Sequence, residues 1–174
     1  AAAILMALGG QLGLEEGRIF DLALSLGSDA PFFLGPPLAL AQGRGEILSP
    51  YLGESPPKWA VLVNPGFPLA TGQVFRALAL TNSGVNNNLG PESPPRLKPS
   101  LLGLNDLLAP ALAIRPELKK AQAAVAALGA EAQGLSGSGP TFWALFRDRE
   151  LAEKAHGRLA GRPFWTALTA LEGA

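Results

Sequence analysis

The run Ala132-Gln133-Gly134-Leu135-Ser136-Gly137-Ser138-Gly139-Pro140-Thr141-Phe142-Trp143-Ala144-Leu145-Phe146 governs the reading of this chain. Residues 132–135 and 141–146 are short apolar stretches, the second rich in aromatics, and a Gly/Ser segment divides them. That pattern predicts two strands around a turn. Just upstream, Leu118, Ala121, Val125 and Leu128 recur at helical spacing. Pro116 stands where a proline opens a helix and Gly129 where a glycine closes one. Downstream, residues 149–159 predict a helix and 164–168 a last strand. Working back, residues 59–63 are continuously apolar with β-branched members, as in a buried strand. Asn64-Pro65-Gly66 turns the chain, and Thr71 is the expected N-cap of a helix reaching about Leu78. With a short helix over 104–112 set aside, the order is β-α-β-β-α-β, the split βαβ or ferredoxin-like order. The expected class is α+β, an antiparallel sheet with helices on one face.

Residues 1–54 read differently. A helix over 1–8 is expected to stop at Gly9-Gly10. A second, over 15–26, places Ile19, Leu22 and Leu26 on one face and stops at Gly27. Residues 38–42 and 46–48 are strand candidates around a turn at Gly43-Arg44-Gly45. Residues 51–57 are rich in Gly, Pro and Ser, and a domain boundary is expected between 54 and 55. Residues 81–100 are dense in Asn, Pro, Gly and Ser without periodicity, hence a long loop.

Composition narrows the function classes. The 174 residues carry 14 Lys+Arg and 14 Asp+Glu, with 48% hydrophobic and 16% charged residues. A disordered polyelectrolyte is excluded, since apolar surface suffices to offset the ordering entropy. Zero net charge argues against nucleic-acid or anionic-membrane partners. Cysteine is absent, so there is neither disulfide nor thiolate chemistry. His156 is the sole histidine, expected to face solvent, and excludes His-rich metal sites and a His-based triad. The apolar residues 1–8 are too few to span a bilayer and lack a basic leader, so a cytoplasmic location is expected.

Three segments could carry chemistry. In Gly27-Ser28-Asp29-Ala30-Pro31-Phe32-Phe33 a carboxylate follows a helix stop and precedes an apolar wall. Asp29 is either a partly desolvated general base or, with Ser28, a turn cap. In Ser136-Gly137-Ser138-Gly139 the glycines let backbone N–H groups approach an anion and the serines add donors, though hairpin turns use the same residues. Thr71 and Phe75 lie one helical turn apart. Phe75 either stacks on a planar ring or packs into the core. Asn105-Asp106 is polar in an apolar setting, as a helix cap would be.

These pieces, in this order, resemble the GHMP family of small-molecule kinases, in its branch with a cytidyl substrate. Residues 26–33 resemble that branch's L-G-[AS]-D-[VA]-P-F-F, and Gln42-Gly43-Arg44-Gly45-Glu46 its E-G-x-G-E turn. Residues 64–75 resemble H-P-G…T-x-x-V-[FY], and residues 135–141 the third motif, [ML]-[ST]-G-[ST]-G-x-[ST].

The resemblance implies ATP-dependent phosphorylation of the 2-hydroxyl of CDP-methylerythritol in non-mevalonate isoprenoid biosynthesis, with ATP and Mg2+ as cofactors and no resident metal site. Asp29 would activate the hydroxyl, Thr71 would contact the substrate, and Phe75 would stack on cytosine. Ser136, Gly137, Ser138 and Gly139 would shape the floor beside the phosphates. It further implies a ferredoxin-like C-terminal domain at 55–174, preceded at 1–54 by the tail of an S5-like α/β domain. The family's phosphate loop, P-x-G-G-G-L-G-G-G-S-S-[DN]-A-A, would precede Ala1, so the expectation is a fragment, inactive by itself. Two other readings stand beside it: a homoserine or mevalonate type of GHMP kinase, and a ferredoxin-like binding module without catalysis.

Overall fold

The chain is described by a computed structural model over residues 1–36, 38–43, 45–50, 57–81 and 103–171. These residues divide between two compact units, one within 1–50 and one within 57–171. The boundary expected between 54 and 55, and residues 82–100 of the expected loop, lie outside the described residues, as do Pro37 and Arg44.

In the first unit, α1 (Ala2–Leu12) runs through Gly9-Gly10 instead of stopping there. A helical glycine costs only about 1 kcal/mol relative to alanine, too little to end a run of strong helix formers. The stop is Gly13, left-handed at φ 62°, with Gly13 N–H donating to Gly10 O and Leu14 N–H to Gly9 O. In α2 (Glu16–Leu26) the inward face centres on Ala23, which is fully buried, while Leu26 is 63% exposed. The expected stripe is therefore rotated away from Leu26. A single 3-10 turn (Pro31–Leu34) follows, then a hairpin of β1 (Ala39–Gln42) and β2 (Ile47–Pro50), registered from Ala39↔Pro50 to Gln42↔Ile47.

The second unit has the α+β architecture read from the sequence. Strands β3 (Trp59–Asn64), β4 (Ala132–Leu135), β5 (Phe142–Phe146) and β6 (Trp165–Ala170) form one sheet in the order β4-β5-β3-β6, every pair antiparallel. Side chains alternate across a strand, so Val61 and Val63 on β3 share a face with Phe142, Ala144 and Phe146 on β5. All five are buried; Val74, Leu118, Ala121, Val125 and Ala152 complete the core from the helices, and Leu159 from the turn after residue 157. Each large side chain buried there contributes about 1.5–3 kcal/mol. Leu62 on the opposite face is half-buried, so β3 is not buried continuously as its apolar run predicted.

The helices are α3 (Thr71–Thr81), α4 (Leu108–Ile114), α5 (Leu118–Ala126) and α6 (Arg149–Gly157). Thr81 thus ends a helix rather than opening a loop. The helix expected over 104–112 starts later, because the Asn105 side chain accepts from Leu107 N–H at 2.9 Å and holds the chain in a turn. Pro116 precedes α5 rather than opening it; Leu118 N–H donates to Arg115 O across the proline at 3.0 Å.

Candidate active site

The site in the second unit is built on the connection between β4 and β5. Two backbone bonds close the 136–141 segment: Ser136 N–H to Thr141 O and Gly139 N–H to Ser136 O, each 2.8 Å. The neighbouring strand β3 ends at Asn64, whose side chain does two things. Its Oδ1 accepts from Gly66 N–H at 2.8 Å, which bends the chain out of the sheet, and its Nδ2 donates to Thr141 Oγ1 at 2.9 Å. Local turn chemistry and a long-range tie therefore reside in one residue. The Asn-Pro-Gly signal foretold the turn but not the tie.

Thr71 does not cap α3, contrary to expectation. Ala70 O accepts from Gln73 N–H at 2.9 Å and Val74 N–H at 3.3 Å, so Ala70 occupies the cap and Thr71 is the first helical residue. That one-residue shift frees the threonine side chain, and Thr71 Oγ1 hydrogen-bonds Ser138 Oγ at 2.9 Å, with either hydroxyl able to donate. Val74 is fully buried, which fixes the helix rotation, and Phe75 beside it is 52% exposed. Phe75 is thus not a core residue. Thr71 meets Ser138 of the Gly-Ser turn, and Phe75 lies one helical turn further along α3.

Asn105 joins this group, which the sequence did not foretell. Besides the cap-like bond to Leu107, its Nδ2 donates to Leu135 O at 3.0 Å and to Gly137 O at 2.7 Å. His156 is half-buried, not solvent-facing, and its Nε2 lies 3.0 Å from Thr166 Oγ1.

Asp29 belongs to the first unit. It lies in the turn between α2 and the 3-10 segment, where Ala30 N–H donates to Gly27 O at 3.2 Å. Pro31 behind it is buried, but Asp29 is exposed and Phe33 is 70% exposed. The apolar wall expected to desolvate the carboxylate is therefore only half present among the described residues. The 3-10 turn has no side-chain cap, so the capping role considered for Ser28 or Asp29 is not filled there. The β1–β2 turn packs against this loop: at Gly45, with φ 111°, an added Cβ would fall on the Ser28 carbonyl oxygen. Among the described residues no group of three or more His, Cys, Asp or Glu could hold a metal ion, and no helix is long and apolar enough to cross a membrane.

Residues 93–163 match the family described as GHMP kinases C terminal. The chain is similar to 4-diphosphocytidyl-2-C-methyl-D-erythritol kinase of Anaeromyxobacter dehalogenans, 41% identical over 172 residues that cover 93% of this chain and 52% of that one. It is 38% identical to the enzyme of the same name from Pelobacter propionicus, covering 98% of this chain and 61% of the relative. A crystal structure of 4-(cytidine 5'-diphospho)-2C-methyl-D-erythritol kinase superposes with TM-score 0.68 at 34% identity, over 97% of this chain and 62% of that one. The chain thus spans between about half and three-fifths of the length of these relatives. The unit in ferredoxin-like order, with its Gly-Ser turn between β4 and β5, thus carries a match over residues 93–163 to the C-terminal domain of GHMP kinases, and the chain is similar along nearly its whole length to these kinases.

Proposed function

We propose that the protein encoded by this reading frame phosphorylates the 2-hydroxyl of 4-diphosphocytidyl-2-C-methyl-D-erythritol with ATP, a step of non-mevalonate isoprenoid biosynthesis. The observation that carries the reading is the 2.9 Å bond between Thr71 and Ser138, which joins the substrate-side helix to the Gly-Ser turn of the third motif. Thr71 contacts the substrate, Phe75 stacks on its cytosine, and Ser136, Gly137, Ser138 and Gly139 form the floor beside the phosphates. Phe75 suits its role because 52% of it is exposed, one helical turn from Thr71. Asp29 takes the proton of the substrate hydroxyl. The freed oxygen then bonds to the γ-phosphorus as the bond to the β,γ-bridging oxygen breaks, and ADP leaves. Phosphoryl transfer depends on positioning and charge neutralisation more than on covalent chemistry, which a set of hydroxyls, backbone amides and one carboxylate can supply.

The family implies ATP. Mg2+ belongs to this proposal too, and the described residues offer it no acidic cage. It would arrive on the triphosphate, as Mg2+ commonly does with few protein ligands. The same reading makes the partner a small molecule, with neither nucleic acid nor membrane, and the compartment cytoplasmic.

The test is expression of the complete reading frame and an assay of ADP release. CDP-methylerythritol should stimulate release, homoserine and mevalonate should not, and Asp29→Asn should abolish it. Stimulation by homoserine or mevalonate instead overturns the substrate, and a fully active Asp29→Asn overturns the base.

A further inference from the structure

We propose that Asn105 is the positioning residue of the Gly-Ser turn, holding it by two backbone carbonyls so that Ser138 meets Thr71 and the Ser138 amide faces the ligand. For what the turn binds, this rests on the kinase reading above.

A residue that only closes a local turn needs one acceptor, and Asn105 uses its Oδ1 for that, toward Leu107 N–H at 2.9 Å. Its amide nitrogen carries two more bonds, at 2.7 Å to Gly137 O and 3.0 Å to Leu135 O. Asparagine offers two donors and an acceptor at this reach, whereas aspartate keeps the acceptor and loses both donors. Strand β4 is an edge of the sheet. Leu135 O, at its end, is met on the open side by Asn105 instead of another strand.

Asn105 is delivered there by close backbone packing. Gly103, with φ 95°, lies so near β4 that an added Cβ would fall on the Gln133 carbonyl oxygen. In return, a Cβ on Gly134 would stand 3.0 Å from Gly103 Cα and 2.9 Å from Trp143 Cζ2. Two residues beyond Gly103, the Asn105 amide reaches the turn.

The consequence for the site follows from peptide geometry. In a planar trans peptide the C=O and the following N–H point in opposite directions. Fixing Gly137 O on Asn105 therefore directs Ser138 N–H to the other side of the turn. The Ser138 side chain bonds Thr71 from the same residue. One carboxamide thus sets both the amide direction and the hydroxyl position of Ser138.

Asn105→Asp separates this clamp from the Asn105–Leu107 turn, since it retains the acceptor for Leu107 N–H. Amide hydrogen exchange on the folded chain should accelerate at least tenfold at Ser136 and Gly139, whose N–H groups close the turn, with Leu107 and α5 unchanged. In the protein from the complete reading frame, kcat should fall at least tenfold in a variant that remains folded at the assay temperature. Localised acceleration in a protein that lacks kinase activity altogether supports the clamp and overturns the kinase reading alone. Unchanged exchange at Ser136 and Gly139, or acceleration spread evenly through α4 and α5, overturns the proposal. If Asn105→Asp does not fold, Gly103→Ala carries the test, with the same local acceleration expected and its absence equally fatal.

Discussion

Thr71 Oγ1 at the start of α3 and Ser138 Oγ in the β4–β5 turn stand 2.9 Å apart, across 67 residues of sequence. Both elements are fixed independently of this bond. Buried Val74 sets the rotation of α3, and Asn64 and Asn105 brace the turn from either side. The two hydroxyls are brought together by the scaffold rather than the reverse. An exposed hydroxyl pair contributes about 0.5–1.5 kcal/mol at most, so its role lies in the site more than in stability.

Thr71→Val and Ser138→Ala should therefore each cost less than about 1.5 kcal/mol in denaturant unfolding. Their effects on kcat/KM in the full-length protein should be larger, and non-additive in the double variant by about 0.5 kcal/mol or more. Strictly additive kinetic losses would mean that the two residues act separately.

Phe75 tests the substrate end. Because it is 52% exposed, Phe75→Ala should change stability by little, within about 1 kcal/mol. Stacking on a base is worth about 1–3 kcal/mol, so affinity for CMP should fall roughly 5- to 150-fold. Isothermal titration with CMP measures this, and an unaltered Kd removes Phe75 from the substrate site.

The core supplies the contrast. Phe142 is 2% exposed at the start of the interior strand β5 and lies in one core cluster with Val61, Val63 and Leu118. Phe142→Ala should cost about 3–5 kcal/mol through lost burial and a residual cavity. A loss under about 1 kcal/mol would show that the core collapses around the gap.

Where the sequence was informative and where it was not follows a physical division. The stripe Leu118, Ala121, Val125 and Leu128 was legible because burial repeats with the period of the helix. Element ends were less so. Gly9-Gly10 passed inside a helix, and α4 began after the Asn105 turn, because one side-chain bond or one glycine decides an end. In the site, the Gly-Ser turn, Thr71 and Phe75 were visible as residue types. Asn105 was visible only as a helix-cap candidate; its reach to the turn and the tie from Asn64 to Thr141 were not, since each bridges segments at least 30 residues apart through isolated polar contacts without periodicity.

The β1–β2 turn supplies the last prediction, for the Asp29 loop. At Gly45 the backbone has φ 111°, and an added Cβ would fall on Ser28 O and lie 3.1 Å from Ser28 C. Those are main-chain atoms next to Asp29, so relief requires the loop itself to move. Gly43, two residues earlier, also has positive φ, at 67°, but its Cβ would meet the Glu46 carboxylate, with Oε1 at 2.6 Å. A side chain can swing aside where a backbone carbonyl cannot. Gly43→Ala should therefore cost about 1–2 kcal/mol, the ordinary penalty for a left-handed alanine. Gly45→Ala should cost more, and in the full-length protein it should lower kcat with KM nearly unchanged, because the displaced group is the proposed base rather than a proposed binding contact. NMR of the Ser28 and Asp29 backbone amides reads the displacement directly. Equal stability losses in the two variants, with Ser28 and Asp29 resonances unmoved, would detach the hairpin from the positioning of Asp29.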